Sequence, residues 1–165
     1  MASPFDQELV DKATRIIETC TAKGLMIATA ESCTGGLVAG LLTEISGSSS
    51  VIDRGFVTYS NAAKQDMLGV PQTLLDQYGA VSESVAKAMA EGALTHSRAN
   101  IAVAITGVAG PTGGSADKPV GLVHFASARS GQDTRPVEKR FGDLGRTQVR
   151  RAAINCALDL ILQRI

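Results

Sequence analysis

Four short segments hold the residues whose types and spacing can do chemistry. The first is Ala30-Glu31-Ser32-Cys33-Thr34-Gly35-Gly36, which stands between an apolar run and an amphipathic stretch. In open α/β sheets ligands collect outside the carboxyl ends of strands, beside helix N-termini. Ser32 is therefore the candidate nucleophile. The backbone N–H groups of such a helix start can hold an anion or a developing oxyanion. Thr34, Gly35 and Gly36 are the candidate binding positions of that turn, the glycines because no side chain blocks the backbone. The plain alternative is a turn in which Ser and Thr only cap a helix.

The second segment is Tyr59-Ser60-Asn61-Ala62-Ala63-Lys64. Lys64 falls in the first turn of an expected helix, where the positive end of the helix dipole disfavours an ammonium. In a partly dry site the lysine pKa falls, and a neutral lysine is a general base. Ser-Lys pairs are a known nucleophile–base arrangement, suited to a chain with only two histidines. The bland reading is a solvated helix lysine. The third segment, residues 105–115, carries four glycines between positions 107 and 114. Their N–H groups, with Thr106, Gly107 and Gly110 foremost, can cradle a phosphate. The spacing is neither G-x-x-x-x-G-K-[ST] nor G-x-G-x-x-G, and a flexible connection would look the same.

The fourth is the start of the last helix, where Arg146, Arg150 and Arg151 crowd the end at which acids are preferred. Arg146, nearest the start, is a candidate for a bound phosphate or carboxylate; Arg150 and Arg151 read as surface. Cys33 is a rival thiol nucleophile without an evident histidine partner. His96 and His124 read as packed histidines, and Glu31 either orients a neighbour or bonds to backbone. Far-apart cysteines (20, 33, 156) and two separated histidines give no metal-ligand pattern, so no metal is expected.

The elements that position these segments follow from periodicity. Residues 6–22 show helical spacing of Leu9, Val10, Ala13, Ile16 and Ile17, and Gly24 ends that helix. A strand over 25–30, a helix over 37–45, a strand over 51–59 and a short helix from an Asn61 cap to Leu68 follow. A helix from Ser82 to position 98 leads into the apolar run 101–105, a central strand covered on both faces. Strands over 120–129 and 134–141 form a hairpin, and a final helix capped by Asp143 runs to position 163. The expected fold is a single-domain α/β/α layered structure, with a mostly parallel central sheet and an added antiparallel hairpin.

With 165 residues the chain can bury a core unaided, roughly 70% of its unfolded surface. Sixteen Lys+Arg balance sixteen Asp+Glu. This neutrality gives no global reason to expect nucleic acid or a membrane as partner. The first residues have neither a basic n-region nor an apolar h-region, so no signal peptide and a cytoplasmic location are expected. No apolar stretch approaches the ~20 residues of a membrane span. Small α/β enzymes often assemble symmetrically, so a homo-oligomer is the expectation.

Together the segments resemble the CinA C-terminal domain family, the nicotinamide mononucleotide (NMN) deamidases. The resemblance rests on Thr29 to Gly36, Arg54 to Asn61 with Lys64, Gly79-Ala80-Val81-Ser82, Ile105 to Pro111 and Lys118-Pro119-Val120-Gly121, in the family's order over nearly the whole chain. Many members carry a further N-terminal domain similar to molybdopterin-binding proteins, for which 165 residues leave no room. What the resemblance implies is amide hydrolysis, NMN plus water giving nicotinate mononucleotide and ammonia in pyridine-nucleotide recycling. It also implies a serine nucleophile, a lysine base and a nearby tyrosine, which by motif are Ser32, Lys64 and Tyr59. No cofactor is required for that reaction. Two rivals are a non-catalytic nucleotide-binding module and a thiol amidohydrolase built on Cys33.

Overall fold

The computed structural model describes residues 3–165. Five strands, β1 (Ile27–Glu31), β2 (Ile52–Val57), β3 (Ile101–Gly107), β4 (Leu122–Arg129) and β5 (Arg135–Arg140), form one sheet in the order β2-β1-β3-β4-β5. β2, β1 and β3 are parallel, whereas β4 and β5 run antiparallel as the expected hairpin. Six helices cover both faces: α1 (Gln7–Lys23), α2 (Leu37–Glu44), α3 (Asn61–Leu68), α4 (Gln72–Tyr78), α5 (Glu83–Thr95) and α6 (Arg146–Leu162). The layered mixed α/β fold expected from the sequence is the fold observed. Among the described residues no helix is long and apolar enough to cross a membrane.

Alternation along the strands divides the core in two. Ile27, Ile101, Val103, Ile105, Val123 and Phe125 belong to one face, packed with α1, α2 and α6. Each such side chain contributes about 1.5–3 kcal/mol by leaving water. The positions between them, Ala28, Ala30, Ala102, Ala104, Ala126 and Ala128, belong to the opposite core with α5. A floor of alanines lets α5 approach the sheet closely. α5 in turn presses on α3 through Gly92, where an added Cβ would overlap the Leu68 carbonyl.

Three local expectations are corrected. α3 is capped by Ser60, whose Oγ accepts the Ala63 N–H at 3.0 Å, so Asn61 is the first helical residue and not the cap. Asp143 does not cap the last helix; Gly145, at φ +84°, precedes its first residue Arg146. α4 was not foreseen at all. It buries only Leu75 and so has no apolar stripe to read, and Pro71 stands at its N-cap.

Gly92→Ala is expected to destabilise the protein by about 1–3 kcal/mol, the usual cost of overpacking. Urea denaturation measures this; a change below about 0.5 kcal/mol would mean that α3 and α5 separate at little cost.

Candidate active site

β1 ends at Glu31, β2 at Val57 and β3 at Gly107, with Glu31 in register with both Val57 and Ile105. The segments that follow these strands therefore leave from one sheet edge. Chain order places β2 on one side of β1 and β3 on the other, which makes β1 the neighbour of a topological switch point. Ser32, Lys64 and the glycine-rich loop meet there although they are far apart in sequence.

Lys64 closes the first turn of α3, its N–H bonding to Ser60 O at 3.1 Å. Helical side chains point back toward the N-terminus, and here that direction carries the ammonium into the protein. Lys64 is 1% exposed. Its Nζ donates to Thr58 O at 2.9 Å and to Ser32 Oγ at 3.1 Å. No carboxylate contacts this amine among the described residues. Burial holds its pKa below the ordinary lysine value, an effect that the adjacent Cys33 thiol only partly offsets. Burial thus shifts this amine toward its neutral form, a base beside a hydroxyl.

The turn after β1 is organised by a carboxylate. Glu31 is fully buried and accepts the N–H groups of Gly36 (3.2 Å), Val38 (3.1 Å) and Ala39 (2.9 Å). Glu31 thus does the capping that the plain reading of the turn gave to Ser32 and Thr34. The Gly35 N–H is also engaged, with Ser32 O at 3.0 Å. Of the N–H groups expected to receive an oxyanion, those of Gly35 and Gly36 are spent on the protein. Those of Cys33 and Thr34 make no backbone–backbone bond among the described residues, and of the two residues only Cys33 reaches the cleft lining. From α6, Arg150 donates through Nε to Cys33 O (3.1 Å) and through Nη2 to Thr34 O (3.3 Å). It is not the surface residue expected; Arg151, exposed and paired with Asp6, is.

An open cleft of about 350 Å³ lies over the site, with Ser32, Cys33, Tyr59, Gly107, Gly110 and Arg146 in its lining. Arg146 donates to Gly110 O at 2.9 Å and to the Tyr59 hydroxyl at 3.3 Å. Tyr59, 61% exposed, is thus brought to the cleft but paired with Arg146, not with Lys64 or Ser32. Five sequence candidates lie outside the lining, and buried Lys64, which reaches it only through Ser32, is one. Thr106 is buried with its hydroxyl donated to Ala80 O at 2.9 Å. Thr34 is fully buried, Gly35 borders Arg150, and Gly36 borders Val57.

Cys33 is buried, and desolvation pushes its thiol up to about 11, which leaves almost no thiolate near neutral pH. The thiol rival loses its nucleophile. His96 sits at the C-terminal end of α5, with Nδ1 2.8 Å from Gly92 O, and His124 is buried in β4 beside Glu138. Neither lines the cleft. Among the described residues no group of three or more His, Cys, Asp or Glu could hold a metal ion.

The sequence profile of the CinA C-terminal domain matches residues 10–165. The chain belongs to this family. It is similar to the nicotinamide-nucleotide amidohydrolase PncC of Escherichia coli (strain K12), 49% identical over 160 residues and 96% of each chain. A putative competence-damage inducible protein of Caldicellulosiruptor bescii is 44% identical over 97% of this chain, which spans 38% of that longer relative. Among solved structures, the competence/damage inducible protein CihA from Agrobacterium tumefaciens superposes with a TM-score of 0.97 at 56% identity, over 98% of both chains.

Ser32 in the CinA-family fold described here is expected to react with a fluorophosphonate faster as pH rises, over a limb centred below the ordinary lysine value because deprotonated Lys64 is the active form. Lys64→Met should slow labelling by about 100-fold or more, and Cys33→Ala should leave it within about twofold. Mass spectrometry of the labelled peptide reads all three; modification at Cys33 would overturn the assignment.

Proposed function

We propose that this chain is a nicotinamide-nucleotide amidohydrolase that converts NMN and water to nicotinate mononucleotide and ammonia. The observation that carries the reading is the 3.1 Å contact between buried Lys64 and Ser32. The 49% identical PncC supports the substrate class. In this reading Ser32 Oγ attacks the carboxamide carbon while neutral Lys64 takes its proton. The N–H of Cys33, a residue of the cleft lining, receives the oxyanion, at about 3–4 kcal/mol for a donor of this kind. Lys64 returns the proton to the departing nitrogen, and ammonia leaves an acyl-Ser32. Lys64 then deprotonates water, which attacks the ester carbonyl, and the second tetrahedral intermediate expels Ser32 Oγ as its proton returns.

Arg146, the one charged side chain in the cleft lining, supports an anionic substrate, with the 5′-phosphate against its guanidinium and the Gly107 to Gly110 backbone. Tyr59 holds that guanidinium on its other side. The reaction is carried by one amidohydrolase domain in the cytoplasm and serves the recycling of pyridine nucleotides.

Purified protein should release ammonia from NMN. Ser32→Ala and Lys64→Ala, checked for folding, should each lose about 10³-fold or more in kcat, the usual cost of removing a nucleophile or its base. Arg146→Ala should raise KM by about 10-fold or more, the loss of a charged hydrogen bond, with kcat little changed. Saturable NMN binding without turnover by the wild type would replace the enzyme with a nucleotide-binding module.

A further inference from the structure

Two segments that carry the family resemblance, Gly79-Ala80-Val81-Ser82 and Lys118-Pro119-Val120-Gly121, have no part in the Ser32–Lys64 contact, and the fold brings them together beside the cleft. Three successive carbonyls ahead of Val81 are each held by a side chain. Tyr78 O accepts from Lys118 Nζ, Gly79 O from the Ser82 hydroxyl at 2.8 Å, and Ala80 O from the Thr106 hydroxyl at 2.9 Å. The donors come from three places: the loop before β4, the N-cap of α5 and the end of β3. Lys118 is itself fixed by a turn, its N–H donating to Ser115 Oγ at 3.1 Å and its carbonyl accepting the Ser115 N–H at 2.9 Å. Gly79, at φ +73°, leaves the lysine its path, since an added Cβ would lie 2.8 Å from Lys118 Nζ.

Val81 follows directly and lines the cleft with Ser32, Tyr59 and Arg146. It is half-buried, whereas the other aliphatic residues of the lining, Val108 and Ala109, are buried. Val81 is thus the aliphatic side chain that the cleft offers to a ligand. The strand that fixes it also fixes the nucleophile: Ile105 O accepts the Ser32 N–H at 2.9 Å, and the next residue, Thr106, holds Ala80. We propose that Val81 is the ring-selecting residue of this cleft, an apolar wall against which the flat ring of the carboxamide nucleotide lies. The inference rests on the nicotinamide-nucleotide amidohydrolase reading. Such a substrate carries, besides a carboxamide for Ser32 and a phosphate for Arg146, a ring face that gains by leaving water. Valine sets no polar atom against that face, and its branched Cβ restricts its rotamer. With the three preceding carbonyls tied, the wall stands in place before the ligand arrives, and binding has little left to order.

The test compares two ligands that share the phosphate: nicotinate mononucleotide, which has the ring, and ribose 5-phosphate, which lacks it. Calorimetry on the wild type should show tighter binding of the first. Val81→Ala removes both methyl groups, and Val81→Thr puts a hydroxyl in place of one. Each should weaken nicotinate mononucleotide by about 5-fold or more, the loss of one or two buried methyl groups, and leave ribose 5-phosphate within about twofold. KM for NMN should rise by the same factor with kcat within about threefold, and fluorophosphonate labelling of Ser32 should keep its pH profile. Lys118→Met, which unties Tyr78 and leaves every residue of the lining in place, should lower the ring preference by about threefold. Equal weakening of both ligands would mean that Val81 only shapes the cleft, and would overturn the proposal. An unchanged ring preference in Val81→Ala, or in Lys118→Met should the Val81 variants not fold, would place the ring elsewhere and overturn it as well. A fall in kcat at constant KM would do the same, by making Val81 a support of Ser32 and Lys64. Wild-type ammonia release from NMN reports separately on the amidohydrolase reading, because the ratio of the two affinities measures the ring contact whether or not NMN is hydrolysed.

Discussion

A buried amine without a counter-ion is the constraint on which the rest of this molecule depends. Placing an ammonium out of water costs several kcal/mol unless it is paired, and the usual escape is loss of the proton. Here the escape is useful. Lys64 meets a carbonyl and a hydroxyl but no carboxylate, so burial holds its pKa below the ordinary lysine value. Everything that seals this pocket therefore keeps water from the amine: the close contact of α3 with α5 through Gly92, the strand ends of β1 and β2, and the packed Cys33 beside the amine.

The polar groups near Lys64 divide their work by charge. Glu31 satisfies the N–H groups of Gly36, Val38 and Ala39 at the start of α2. Arg150 satisfies carbonyls of the same turn, and Arg146 holds the glycine-rich loop while facing the cleft. Negative charge is thus spent on structure, whereas the positive charge of Arg146 borders the cleft. An arginine at the first position of α6 is unfavourable for the helix, and the cleft that it borders is the compensation.

The legible part of this design was what a single stretch of chain can state. The continuous apolar run in β3 and the glycine at the end of α1 each act locally, and each was readable. Ser32 and Lys64 were readable too, because a serine at a strand end and a lysine at the wrong helix end break local preferences. What failed needed partners far away in sequence. Arg150 acts on carbonyls 116 and 117 residues distant, and nothing in its own helix distinguishes it from Arg151. Thr106 looked like a phosphate ligand until Ala80, on the connection before α5, took its hydroxyl. α4 escaped because one buried leucine has no period.

The alanine floor beneath α5 has a consequence for how such a sequence can drift. On the Ile/Val/Phe face, a lost methylene in one side chain can be recovered by a gain in its neighbour, so many combinations fill the same volume. The alanine face offers no such exchange. Every position there is already at the smallest side chain with a Cβ, and any enlargement lifts α5, with α3 behind it. Variation among sequences that keep this fold should therefore be lopsided, free on one side of the sheet and nearly frozen on the other.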